Sequence, residues 1–137
     1  MIPRRRHPGL SIAQQAYMLR HSMPQAKITA DSQKLECKLE ARPTVMSRIY
    51  GLHLNYELGK RPVAIVKSPD LGQLTSKKIP HLWNTDPYDL CLYYYKNREW
   101  NPRMHIGRTI FPWTMEWLFH FECWLATDHW DGGGTTH

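Results

Sequence analysis

Ile12, Ala16, Leu19 and Met23 recur near helical spacing, and Ser11 followed by Gln14 ahead of them forms a capping-box pattern. This predicts a helix over residues 11–23, stopped by Pro24. From Gln33 the period falls to two. Leu35, Cys37, Leu39 and Ala41 alternate with Glu36, Lys38, Glu40 and Arg42, the signature of a half-buried antiparallel strand. Cys37 falls on its inner face, where a small thiol serves packing. A second alternation sets Tyr50, Leu52, Leu54 and Tyr56 against Ile49, Gly51, His53 and Asn55, up to the turn residues Gly59 and Lys60. Pro62 then opens a third strand through Val63 to Lys67, which makes a meander.

Between Ser68 and Asp89 neither period persists, and Pro69, Gly72, Pro80 and Pro87 punctuate a polar stretch. An irregular loop of about twenty residues is uncommon in a compact domain and often functional. This one leads into Cys91. After it, Leu92 to Tyr95 reads as a short extended piece, and Asn97 to Arg103 as polar and turn-like around Trp100-Asn101-Pro102. A final helix is expected from Pro112, a residue favoured at the first helical position, with Glu116 in the first turn. Trp113, Trp117, Phe121, Trp124 and Leu125 line one side, Leu118 and Phe119 widen the stripe, and Asp131-Gly132-Gly133-Gly134 is the expected terminator.

A chain of 137 residues fits one domain. Arg4, Arg5 and Arg6 between prolines suit a flexible basic arm over residues 1–9, which leaves residues 10–137 as the domain. An apolar share of 42% with six tryptophans belongs to a folded protein. No run is apolar enough for a membrane span or a signal peptide, so the expected location is the cytoplasm, without membrane association. The net charge of +6 bears on association more than on identity.

Three cysteines, at positions 37, 91 and 123, are odd in number and too widely spaced for a Cys-x-x-Cys motif, which argues against a disulfide framework. His120, Cys123 and His129 lack the compact grouping that a zinc site needs, so no metal is expected. No Gly-x-Gly-x-x-Gly or Walker pattern is present, and no nucleotide or other cofactor is expected. Tyr93, Tyr94 and Tyr95 beside Lys96 and Arg98 offer stacking and charge, but alternation buries at least one tyrosine, and no nucleic-acid partner is expected.

A cysteine reacts through its thiolate and needs partial exposure with a donor or cation nearby. Cys91 has His81 ten residues before it, Asn84 seven before it, and Lys96 and Arg98 just after. Plain packing is the alternative reading on spacing alone. For Cys123, set on an aromatic helix, packing is the expected role.

The order of parts resembles the ubiquitin-conjugating (UBC-like) fold of the α+β class: N-terminal helix, antiparallel meander, long active-site loop, cysteine, Trp-x-Pro and closing helix. That family carries a His-Pro-Asn whose histidine lies ten residues before the catalytic cysteine. Here His81 precedes Cys91 by ten, and Trp100-Asn101-Pro102 begins nine after it. The run LCLYYYKNREWNP, and then Pro112-Trp113, Glu116-Trp117-Leu118, Glu122, Trp124-Leu125 and Trp130-x-Gly-Gly-Gly, is similar to the ubiquitin-conjugating-like proteins of bacterial cyclic-oligonucleotide antiphage (CBASS) operons. The chain resembles their stand-alone type, without an activating-enzyme domain.

The resemblance implies a transferase in which Cys91 accepts, as a thioester, the C-terminus of a cGAS-like nucleotidyltransferase. Transfer to an acceptor would then prime cyclic-nucleotide signalling. His81 and Asn84 are the implied site companions, and Trp100 and Pro102 would brace the segment after Cys91. Leu82-Trp83 replaces the family's Pro-Asn, so Asn84 or His81 would have to supply the donor for the oxyanion. Asp86, Asp89 and Asp128 are candidates to orient an incoming amine. The rival reading is an inactive member of the same fold that binds and regulates the nucleotidyltransferase without covalent chemistry.

Overall fold

A computed structural model of the chain describes residues 9–92 and 99–131. Helix α1 (Ile12–Ser22) is followed by strands β1 (Lys27–Ala30), β2 (Lys34–Ala41), β3 (Tyr50–Glu57), β4 (Val63–Ser68), β5 (Leu82–Thr85) and β6 (Tyr88–Leu90), and then by helix α2 (Ile110–Thr127). The strands form one antiparallel sheet in the order β1-β2-β3-β4-β6-β5. The class is α+β, an antiparallel sheet with a helix at each end of the chain.

Where one face of an element had to be buried, the periodic pattern told its type. Ser11 Oγ accepts from Gln14 N, and the Gln14 side chain accepts from Ser11 N, which completes the capping box of α1. On β2 and β3 the burial alternates in step with the sequence, and Cys37 lies fully buried opposite Leu54. These inner residues join Ile12, Ala16 and Leu19 of α1, and Trp117, Leu118, Phe121 and Trp124 of α2, in one core.

Three expectations change. The stretch from Ser68 to Asp89 is not an irregular loop throughout, because it holds a 3-10 turn at Leu71–Gln73 and the β5–β6 hairpin. Each of those strands is too short to show a period, and β6 gains its stability by pairing with β4 through Ile65–Asp89 and Val66–Tyr88. Helix α2 begins at Ile110, two residues before Pro112, which therefore occupies the third helical position and Glu116 lies beyond the first turn. A missing N–H costs nothing there, since first-turn amides have no intrahelical acceptor. The helix also ends early, with Asp128 in the left-handed region (φ 64°) as its C-cap, and Phe119, placed on the apolar stripe by the pattern, is exposed. Residues 132–134 and Tyr93 to Tyr95 lie outside the described residues.

One strand, β1, carried no pattern of its own. Its four residues pair with β2 from Lys27–Lys38 to Ala30–Leu35 and are mostly exposed, so position on an edge replaces hydrophobic alternation.

The segment leading into α2 is held by a buried amide. Gln15 Nε2 donates to Met104 O (2.8 Å) and Gln15 Oε1 accepts from Ile106 N (2.9 Å). Leu10 N donates to Pro102 O, and a Cβ on Gly9 would fall 2.3 Å from Pro102, so only glycine permits that approach. Gln15→Ala would strand both backbone partners away from water, with an expected cost of about 2–4 kcal/mol measured by urea unfolding.

Candidate active site

His81 is the last residue before β5 and has a positive φ of 56°. A histidine in this region is uncommon and has to be held there. Its carbonyl oxygen accepts two hydrogen bonds, one from Cys91 N (3.0 Å) and one from Trp117 Nε1 of α2 (2.9 Å). Cys91 is thereby fixed across the base of the hairpin from His81 and tied, through the same oxygen, to the C-terminal helix. The imidazole packs against Trp130 at a centroid distance of 5.0 Å, and Trp130 meets Trp117 edge to face at 5.2 Å.

Cys91 is 2% exposed, which corrects the expectation of an accessible thiol. Its neighbours Leu90 and Leu92 both belong to the hydrophobic core, whereas Cys91, though buried, does not. Cys91 follows directly on β6, and the pleat of that strand carried on by one residue would set it on the Asp89 face. That face carries a constellation the sequence did not reveal. Arg61 Nη2 donates to Asp89 Oδ2 at 2.8 Å, Arg61 Nη1 approaches Oδ1 at 3.4 Å, and the guanidinium lies 5.4 Å over the Trp83 ring. The β5–β6 register shifts between Leu82 and Asn84, and Trp83, at that irregularity, is partly exposed. Arg61 precedes Asp89 by 28 residues, so only the pairing of β4 with β6 brings them together.

The other candidates are dispersed. Asn84 is exposed on β5 in register with Asp89, three residues beyond His81. Asp86 is exposed in the hairpin turn, while Asp128 pairs with Lys77 at the end of α2. Of the three carboxylates, Asp89 alone is buried and held beside Cys91 in sequence. Lys96 and Arg98 lie outside the described residues. Trp100 donates from Nε1 to Thr109 Oγ1 (3.1 Å) and packs edge to face on Tyr56 at 5.2 Å, linking β3 to the start of α2.

A family model described as "Type II CBASS E2 protein" matches residues 15–137. The chain belongs to this CBASS E2 family. No curated protein matches it. Membership gives the chain an E2-like role in antiphage defence, and the match extends well upstream of the cysteine region, through the whole meander. No helix among the described residues of this CBASS E2 protein is long and apolar enough to cross a membrane.

Two outcomes are expected of this region. Arg61→Ala leaves the Asp89 carboxylate buried without its cation and should cost about 1–2 kcal/mol in urea unfolding, less than a fully enclosed pair because the arginine is partly solvated. Burial pushes the Cys37 thiol up to about 11. Near pH 8 it stays protonated and enclosed, so brief alkylation of the folded chain followed by peptide mapping should leave Cys37 unmodified while Cys123, half-buried, reacts.

Proposed function

We propose that the protein is an acyl carrier in which Cys91 forms a thioester with the C-terminus of a cGAS-like nucleotidyltransferase and passes it to an acceptor protein. The observation that carries this reading is the hydrogen bond from Cys91 N to the carbonyl of His81, in a chain of the CBASS E2 family. It joins the cysteine and histidine that a ubiquitin-conjugating fold would use.

The donor carboxyl has to arrive activated, as an acyl adenylate or as a thioester on another protein. The Cys91 thiolate attacks its carbonyl carbon, a C–S bond forms, and the bond to the adenylate oxygen or the departing sulfur breaks. In the second step an acceptor nucleophile attacks the same carbon, loses its proton to a base, and Cys91 leaves as thiolate. Charge gathers on the acyl oxygen in both steps, and a positioned donor stabilises it. Asn84 is the proposed donor, reaching from the exposed edge of β5. His81, with its ring against Trp130 and its carbonyl oxygen accepting two hydrogen bonds, is proposed to set the path of the chain at the site. Asp89, held by Arg61, is the carboxylate best placed by sequence and burial to influence the thiol or an incoming amine. None of these steps calls for a metal or an organic cofactor.

The low exposure of Cys91 favours a second reading, a non-covalent regulator of the nucleotidyltransferase. Co-expression with the neighbouring nucleotidyltransferase and intact mass spectrometry separate the two. The carrier reading expects an adduct released by thiol reductant, lost in Cys91→Ala, and converted in Cys91→Ser to a reductant-resistant ester. Asn84→Ala should slow its formation by about a hundredfold. A Cys91→Ala protein that supports phage defence and partner conjugation as the parent does would leave only the regulator.

A further inference from the structure

The connection from β2 to β3, residues 42–49, is an apolar knob turned to solvent. Val45 is 81% exposed, Met46 90% and Ile49 56%. Three large apolar side chains within five positions contribute little to the fold from there, and such clusters mark contact surfaces. The loop is nonetheless tightly built. Thr44 and Ser47 exchange hydrogen bonds, with the two hydroxyls 2.8 Å apart and Thr44 N donating to Ser47 Oγ at 3.2 Å. Met46 N donates to Thr44 Oγ1 at 3.2 Å. Ser47 Oγ then donates to one oxygen of Glu122 on α2 (2.7 Å), and Tyr50 OH donates to the other (2.8 Å). A loop ordered in advance loses little conformational freedom on docking.

Charge gives the knob a sign. Arg42 precedes it and Arg48 lies within it, both exposed, and the Glu122 carboxylate is occupied by the two hydroxyls. Directly before Arg42 the chain borders a cavity of about 490 Å³ lined by Met23, Ala26, Leu39, Ala41 and Phe111, with Glu40 on its wall. Among the described residues, neither Glu40 nor the two arginines takes part in an ion pair. An apolar knob with two cations thus adjoins a cleft of mixed lining, in which Met23, Leu39 and Phe111 stand beside Ser22, Gln25 and the Glu40 carboxylate. A twofold axis would let each copy offer its knob and cations to the cleft and anion of the other.

We propose that this face is a homodimer interface, with Val45 and Met46 of one copy seated in the cleft of a second copy and Arg42 and Arg48 facing its Glu40. Ala41 pairs with Tyr50 at this end of the sheet, whereas Val63 pairs with Asn55 toward the other, where β4 begins. Ile65 pairs with Asp89, so continuing that register places Cys91 toward the β4 start. Cys91 of each copy therefore stays clear of the contact, and the inference stands apart from the chemistry proposed for Cys91.

Sedimentation equilibrium of the full chain over about 1–500 µM tests it, a range suited to a small contact. The mass should climb from 16.2 kDa toward twice that value as concentration rises. Val45→Asp with Met46→Asp should weaken association at least tenfold without changing the fold, since both side chains are exposed. Glu40→Arg in one preparation, and Arg42→Glu with Arg48→Glu in another, should each remain monomeric alone and associate on mixing, because only the mixed pair has opposite charges at both contacts. A constant 16.2 kDa across the range overturns the proposal, as does a dimer indifferent to the double aspartate variant.

Discussion

Two donors meet on the carbonyl oxygen of His81, and the region around Cys91 depends on that meeting. Trp117 brings the C-terminal helix to it, Cys91 brings the end of the hairpin, and His81 itself sits in the left-handed region that starts β5. A buried carbonyl with both acceptor sites filled costs little, whereas loss of either donor would leave it half satisfied in the core. Helix, hairpin and cysteine are consequently one mechanical unit. The Trp117–Trp130 and His81–Trp130 ring contacts extend it to the end of the described chain.

That unit gives Cys91 an ordered backbone and an enclosed side chain at once. Enclosure lowers the local dielectric, which strengthens every nearby charge and dipole. The Arg61–Asp89 pair, with the guanidinium over the Trp83 ring, brings a cation from just before β4 and an anion from β6 to within two residues of Cys91 in sequence. Trp83 stands where the resemblance read from the sequence would put an asparagine. Its ring supplies a platform for Arg61, an outcome of a different kind from an amide donor, and leaves Asn84 on the exposed edge.

Elsewhere, side chains that join distant segments do comparable work. Gln15 from α1 satisfies the backbone on both sides of His105, Trp100 reaches Thr109, and Glu122 gathers Ser47 and Tyr50 from the β2–β3 connection. Tyr50 is fully buried, and its hydroxyl is pushed well above the usual range, first by that burial and then by its bond to Glu122. The loop between β4 and β5 is tied in the same way, by Tyr88 OH bonding the Asp70 carboxylate and accepting from Gly72 N.

Periodicity alone determined α1 with its capping box, the inner faces of β2 and β3, the place of β4 and the existence of a broad apolar C-terminal helix. Apart from β4, where Ala64, Ile65 and Val66 are all buried, those elements each bury one face, and a one-sided environment writes its period into the sequence. The spacing of His81, Cys91 and Trp100 likewise stood in the sequence as a resemblance to a known family, since spacing along the chain needs no fold to be seen. Only the tertiary structure decided the rest. The β5–β6 hairpin is too short to carry a pattern and exists because β4 offers it an edge. The end of α2 was set by Asp128 adopting a left-handed cap, not by the glycines beyond it. The burial of Cys91, the Arg61–Asp89 pair and the two hydrogen bonds on the His81 carbonyl oxygen rest on residues from separate elements, and contacts of that kind have no local signature until the sheet has assembled.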